Sequence, residues 1–334
     1  MGYYAGFKYG SGVLYGIQTE IYSVDPDRGP SPGGNRFVIT GSGFDPRLWD
    51  DTFVEPTLDT AKWVDLSSGG GSVYTGPEHL RMSTGSSAGD VAGIKSSATW
   101  GNVQCEVRAI LATPMSYPAT GSIVVCRFCL EVDAANYACM YITLDSTGAL
   151  KLYCESWVGG VKSDEMRTQV EWSLGLCTLK ILRWGADLYF IANGSVIWST
   201  VKFLDSQAYF KITSENGDSD YDVNILKVEW FYYRTFVIFQ NQPVHDTVVV
   251  SNKRVRGIVP ESRDIRKKYA AYEGIVDVSA VGISSYTSSD AYEYYYVKGL
   301  KAINEIQFDI GLDIINDPQL ETPEGERRGL GGGY

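Results

Sequence analysis

The chain has 334 residues, enough for two domains of average size and a sizeable core. Its 36 glycines and 12 prolines, 13% aromatic share led by 23 tyrosines, and only 21% charged residues describe short strands joined by turns rather than helices. A net charge of −11 argues against a nucleic-acid or anionic-membrane partner, and no run of about 18 apolar residues is present to span a membrane. The opening MGYYAGFKYGSG lacks the basic and apolar regions of a secretion signal, so the expectation is a soluble all-β protein used without secretion.

Residues 1–16 set Tyr3, Tyr4, Tyr9 and Tyr15 among glycines, a composition that reads either as a docking arm with aromatic anchors or as a frayed end. A strand (IYSV, 21–24), a Pro/Gly turn region and a second strand (FVIT, 37–40) follow, and a Gly41-Ser-Gly43 kink delivers Phe44 to a core. From Asp50 the pattern changes. In 102–112, Val103, Cys105, Val107, Ala109 and Leu111 alternate with Gln104, Glu106 and Arg108, the signature of a half-buried antiparallel strand. SIVVCRFCLEV (122–132), YACMYITL (137–144) and ALKLYCESW (149–157) come next at hairpin spacing, separated by turns at DAAN and DSTG. TLKILRW, LYFIA and VIWST then form two tight hairpins, with Asn193-Gly194 the strongest short turn signal in the chain. VNILKVEWFYY (223–233) closes the unit and can pair with its beginning. Four more strands are expected in FVIFQNQPV (236–244), DTVVVSNKRVRGIVP (246–260), GIVDVSAV (274–281) and AYEYYYV (291–297). Residues 298–334 read as one more strand or arm and then a polar, Gly-rich tail.

The stretch from Ile21 through Val24, Pro26, Gly29-Pro30, Gly33-Gly34 and Thr40-Gly41 to Phe44 resembles the opening of an IPT/TIG domain, an immunoglobulin-like sandwich. The resemblance resumes after residue 236. It implies one sandwich, 17–49 plus 236–297, split by an insert at 50–235. The insert, with Arg183, Gly185, Leu188, Asn193 and Gly194 in order, resembles concanavalin-like jelly rolls of the laminin-G and lectin/glucanase type. The fold class expected is therefore all-β: an immunoglobulin-like sandwich carrying an inserted jelly roll, with an N-terminal arm (1–16) and a C-terminal arm (298–334).

Chemistry is sparse. Glucanases of the laminarinase type need paired carboxylates on one strand. The nearest match, Glu131-Val-Asp133-Ala-Ala-Asn136, has an amide where the second catalytic carboxyl belongs, so no catalytic residues are expected. The six cysteines lie between Cys105 and Cys177, and Cys126 and Cys129 point to opposite faces of a strand, so buried apolar thiols are favoured over zinc, redox chemistry or a disulfide. No cofactor is expected; Asp218, Asp220 and Asp222 leave calcium open beside a solvated acidic loop. Trp157, Trp184, Trp198 and Tyr189, with Asn136 and Asp187 as polar partners, are the carbohydrate-binding candidates, weighed against ordinary core packing.

Modules of these two kinds recur in virion proteins of tailed bacteriophages. That resemblance implies a non-enzymatic structural protein on the exterior of a phage particle, tail- or baseplate-associated. Its partners would be copies of itself, other virion proteins and host-surface glycan. A cell-surface adhesin or carbohydrate-binding protein is the alternative, and a laminarinase-type hydrolase the third.

Overall fold

The computed structural model describes residues 8–9, 12–13, 19–44, 51–76, 79–111, 122–166, 168–217, 225–240, 242–261, 274–281 and 285–295. Tyr3, Tyr4, Tyr15, the acidic triad Asp218, Asp220 and Asp222, and the tail at 298–334 lie outside them. Tyr9 falls in a two-residue strand, Lys8–Tyr9, paired with Gly12–Val13.

The fold is all-β, a multi-sheet jelly roll and sandwich. Two large sheets form the jelly roll. In spatial order the seven-stranded sheet runs Ser195–Thr200, Asp187–Ala192, Gly175–Trp184, Val103–Leu111, Ile225–Arg234, Leu80–Ser83, Ser72–Thr75. The eight-stranded sheet runs Val161–Glu165, Leu150–Val158, Asn136–Asp145, Ser122–Asp133, Tyr209–Glu215, Val91–Ser96, Trp63–Asp65, with Val170–Trp172 also on the Leu150–Val158 strand. One core lies between them, in which Phe128, Phe190, Phe210, Phe231 and Trp63 are almost fully buried. Burial of each such side chain is worth roughly 1.5–3 kcal/mol. The alternation of Val103–Leu111 is what fills that core: Val103, Cys105, Val107, Ala109 and Leu111 face inward.

Hairpin geometry follows local chemistry. Asn193 (φ 48°) and Gly194 (φ 82°) both take left-handed backbone, as a two-residue turn between twisted strands demands. Gly159 (φ 62°) and Gly160 (φ 76°) do the same between Leu150–Val158 and Val161–Glu165.

Two further sheets pack around a second core containing Phe37, Ile39, Phe44, Val237, Phe239, Val255, Val278 and Tyr292. The five-stranded sheet is Gln242–Pro243, Phe236–Phe239, Gly274–Val281, Ser285–Tyr295, Arg28–Pro30; the four-stranded one is Val248–Ser251, Arg254–Ile258, Arg36–Ser42, Glu20–Asp25. Strands from residues 20–42 thus pair with strands from beyond 248, while Asp51 and Phe231 exchange backbone hydrogen bonds of 2.9 and 2.8 Å where the jelly roll begins and closes. The two cores meet through a third cluster, in which Leu182 and Ile191 of the seven-stranded sheet pack on Phe236, Ile238 and Val281.

Candidate functional site

The face of the eight-stranded sheet turned away from the core carries most of the unusual chemistry. Cys126, Phe128 and Leu130 point inward, so Arg127, Cys129 and Glu131 point outward, and the same parity sets the outward residues of the neighbouring strands. Register arranges them in rows. One row runs Tyr209, Glu131, Tyr137, Trp157, Lys162; the next Lys95, Lys211, Cys129, Cys139, Glu155, Glu165; the third Thr213, Arg127, Tyr141, Tyr153.

Within these rows aromatic rings pair across strands. Tyr137 and Trp157 stack with centroids 5.8 Å apart and planes 19° apart; Tyr141 and Tyr153 stack at 5.2 Å and 9°. Cations flank them: Lys162 lies 5.7 Å from the Trp157 ring, Arg127 5.5 Å from Tyr141 and Lys95 4.7 Å from Tyr209. Each cation but Lys95 is also held by a carboxylate. Lys211 meets Glu131 at 2.9 Å, Arg127 meets Glu215 at 2.9 Å, and Lys162 bridges Glu155 (3.3 Å) and Glu165 (2.8 Å). These four basic groups thus stand among four acidic ones, and Lys151 pairs with Asp145 at 3.6 Å on the same face. Burial pushes the Tyr137 phenol up to about 12, with the Cys139 thiol and Glu155 adding to the shift, and moves Tyr141 the same way. Both phenols are neutral hydrogen-bonding groups at ordinary pH.

Two buried donors on this face, Trp157 Nε1 and Arg127 Nε, have no acceptor among the described residues. Glu155 is only 8% exposed, with the Cys139 thiol 3.9 Å from its Oε1.

The six carbohydrate-binding candidates are not brought to one place. Trp157 is on this face, and Asn136 is at its rim. Asn136 donates to both oxygens of Asp133 at 2.8 Å and accepts from Gly159 N at 2.8 Å, tying two adjacent hairpin turns together. That amide also holds the Asp133 carboxyl below its usual range, with help from Ala135 N. Trp184, Asp187 and Tyr189 sit on the other large sheet, where Trp184 packs edge-on against Phe236 (6.4 Å) and Tyr189 covers His245 (4.2 Å). Burial raises the Asp187 carboxyl. Trp198 stacks on core Phe190 at 5.2 Å. Tyr137, Tyr141, Tyr153 and Tyr209 were the residues sequence reasoning passed over. Their shared parity within YACMYITL and its neighbours was the available signal.

All six cysteines are unpaired and buried, and burial drives the Cys126 thiol well above its ordinary value. Among the described residues, no group of three or more His, Cys, Asp or Glu is placed to share a metal ion.

No family model matches the chain, and no curated protein matches it. Solved structures do. A Bacillus licheniformis β-glucanase is similar at 15% identity and TM-score 0.43, over 55% of this chain and 96% of the glucanase. The apo form of the Crh5 transglycosylase is similar at 12% identity and TM-score 0.45, over 63% and 92% of the two chains. An immunostimulatory antigen and pseudo β-1,3-glucanase of Mycobacterium tuberculosis is similar at 11% identity and TM-score 0.44, over 57% and 98%.

These findings correct the reading built on motif resemblance. The IPT/TIG assignment finds no matching family, and the matched structures are a glucanase, a transglycosylase and a pseudo-glucanase rather than phage virion proteins. The virion role falls with it, as do the virion and self-association partners and the expectation that the chain is not an enzyme. The physical reason is that a Pro/Gly turn followed by a Gly-x-Gly kink, and tyrosines among glycines, are features any turn-rich sandwich can share.

Proposed function

We propose that this chain is a carbohydrate-binding protein whose ligand, a neutral glycan chain, lies along the outer face of the eight-stranded sheet. One observation carries the reading: the Tyr137–Trp157 and Tyr141–Tyr153 stacks lie on one sheet face, separated by the Cys139–Glu155 row, among charges that are largely paired. Aromatic rings offer apolar platforms to sugar C–H faces, and the neighbouring carboxylates, ammonium groups and phenols serve the hydroxyls. Tyr137, Tyr141, Tyr153 and Trp157 are each half-buried, which leaves part of every ring open to a sugar face.

Affinity electrophoresis in gels of lichenan, laminarin or xylan, with polygalacturonate as an anionic control, tests this. The wild-type chain should be retarded by a neutral polysaccharide and not by polygalacturonate. Trp157→Ala should weaken that binding about tenfold, as expected for a lost stacking platform. Unchanged mobility of both Trp157→Ala and Tyr141→Ala would refute the face as the site.

A second reading is turnover at the same face. The observation favouring it is that Glu131, Glu155 and Glu215 all project there, Glu155 being 8% exposed. Glycoside cleavage uses two carboxyl groups flanking the bond. Release of reducing ends from a bound polysaccharide, removed by Glu155→Gln with binding retained, supports it. Binding without any release leaves recognition alone.

A further inference from the structure

The back of the jelly roll holds a second, separate feature. A cavity of about 400 Å3 opens on the outer face of the seven-stranded sheet, lined by Glu106, Thr178, Lys180, Ile191, Asn193 and Gly194. Register explains why these residues meet. Glu106, Lys180 and Ile191 form one cross-strand row, extended on its far side by Tyr232. Thr178 and Asn193 form the next row outward, where Asn193 Oδ1 accepts Thr178 N at 2.9 Å and the Asn193 NH2 group is left for another acceptor. The row on the inward side is Gln104, Leu182 and Tyr189, where Leu182 packs against the smaller sandwich and Tyr189 covers its His245. The trough therefore lies on this sheet beside its border with the smaller sandwich.

Its lining is mostly polar. Lys180 and Glu106 meet only at 3.3 Å, although the Lys180 side chain is 13% exposed. The Asn193 NH2 group and the Lys180 ammonium can donate to a ligand, the Glu106 carboxylate and the Thr178 hydroxyl can accept from one, and a net-neutral lining disfavours a charged ligand. A polyhydroxylated ring supplies donor and acceptor from each hydroxyl. The volume falls at the lower end of the roughly 300–1,000 Å3 common for small-ligand sites.

We infer that this trough is a saccharide site for one or two neutral sugar units, independent of the glycan face on the opposite sheet. Saturation-transfer NMR and titration of the full chain with cellobiose and laminaribiose, and with glycine as a zwitterionic probe, test it. A disaccharide should bind, and binding should persist in Trp157→Ala. It should weaken about tenfold or more in the Glu106→Gln/Lys180→Met double variant, the expected effect of removing charged hydrogen-bonding partners. Thr178→Val, an isosteric change at the rim, gives a second readout should the double variant fail to fold, and should weaken binding severalfold. The inference is overturned by disaccharide titrations that neither variant alters, by saturation with glycine in place of sugar, or by loss of the signal in Trp157→Ala. The last result would assign the binding to the opposite face, so the two sites fail separately.

Discussion

Arg183 should be among the most stabilising polar residues of the jelly roll. It is fully buried on the inward side of the Gly175–Trp184 strand. There it donates from Nε to Gly185 O (3.0 Å), from Nη2 to Leu204 O (2.6 Å) and from Nη1 to Ser206 O, and its guanidinium lies 5.3 Å from the Phe203 ring. One side chain thus closes the 203–206 loop over the core. Arg183→Met keeps much of the volume but leaves three carbonyls without their donor. Hydrogen bonds to charged groups contribute about 1.5–3 kcal/mol each, while removing the cation also removes its own burial cost; the net loss should be about 3–5 kcal/mol. For a domain of this size that is a fall in Tm of roughly 6–20 °C. The ion pair to Asp205, at 3.7 Å with the carboxylate 78% exposed, contributes little, so Asp205→Ala should change stability by less than about 1 kcal/mol. Urea unfolding of wild type and both variants measures this. A loss below about 1 kcal/mol for Arg183→Met, or equal losses for the two variants, would refute the reasoning that the carbonyl bonds dominate.

His245 should make stability fall as the solution becomes mildly acidic. Burial lowers its imidazole below the ordinary 6.5, with Lys180 adding to the shift and Asp246 opposing it. The unfolded chain therefore takes up the proton first, and stability is full above 6.5 and lost as pH drops from there toward the lower folded value. Tm measured from about pH 7.5 to 5.5 should fall less steeply in His245→Phe than in wild type, and parallel curves would count against the assignment. We also expect residues 50–235, and separately 17–49 joined to 236–297 by a short linker, to unfold cooperatively, since each set of strands has its own core. Calorimetry checks this; a joined fragment without a transition, beside a stable whole chain, would show that the smaller sandwich depends on the larger.

How much was legible beforehand differs between strands and site. Period-two alternation in Val103–Leu111 marked the inward residues correctly, and Asn193-Gly194 marked a turn that needs left-handed backbone at both positions. The opposite orientation of Cys126 and Cys129 followed from the same periodicity. Arg183 was visible as part of a pattern, but nothing local showed that it faces the core, because a buried arginine breaks the expected alternation of polar and apolar.

Sequence by itself determined that the chain is all-β, where many strands and turns lie, and which side chains share one face of each strand. Local sterics and alternation act over a few residues, so they are readable without knowing the neighbours. Only the tertiary structure decided which strands lie side by side. Val103–Leu111 pairs with strands about 70 and 120 residues further along, a choice made by burial of whole faces rather than by any local signal. That choice separated Trp157 from Trp184 and Tyr189 onto opposite sheets, and it set Tyr137 against Trp157 and Tyr141 against Tyr153. A binding face is a property of adjacent rows, and rows exist only once the register is formed.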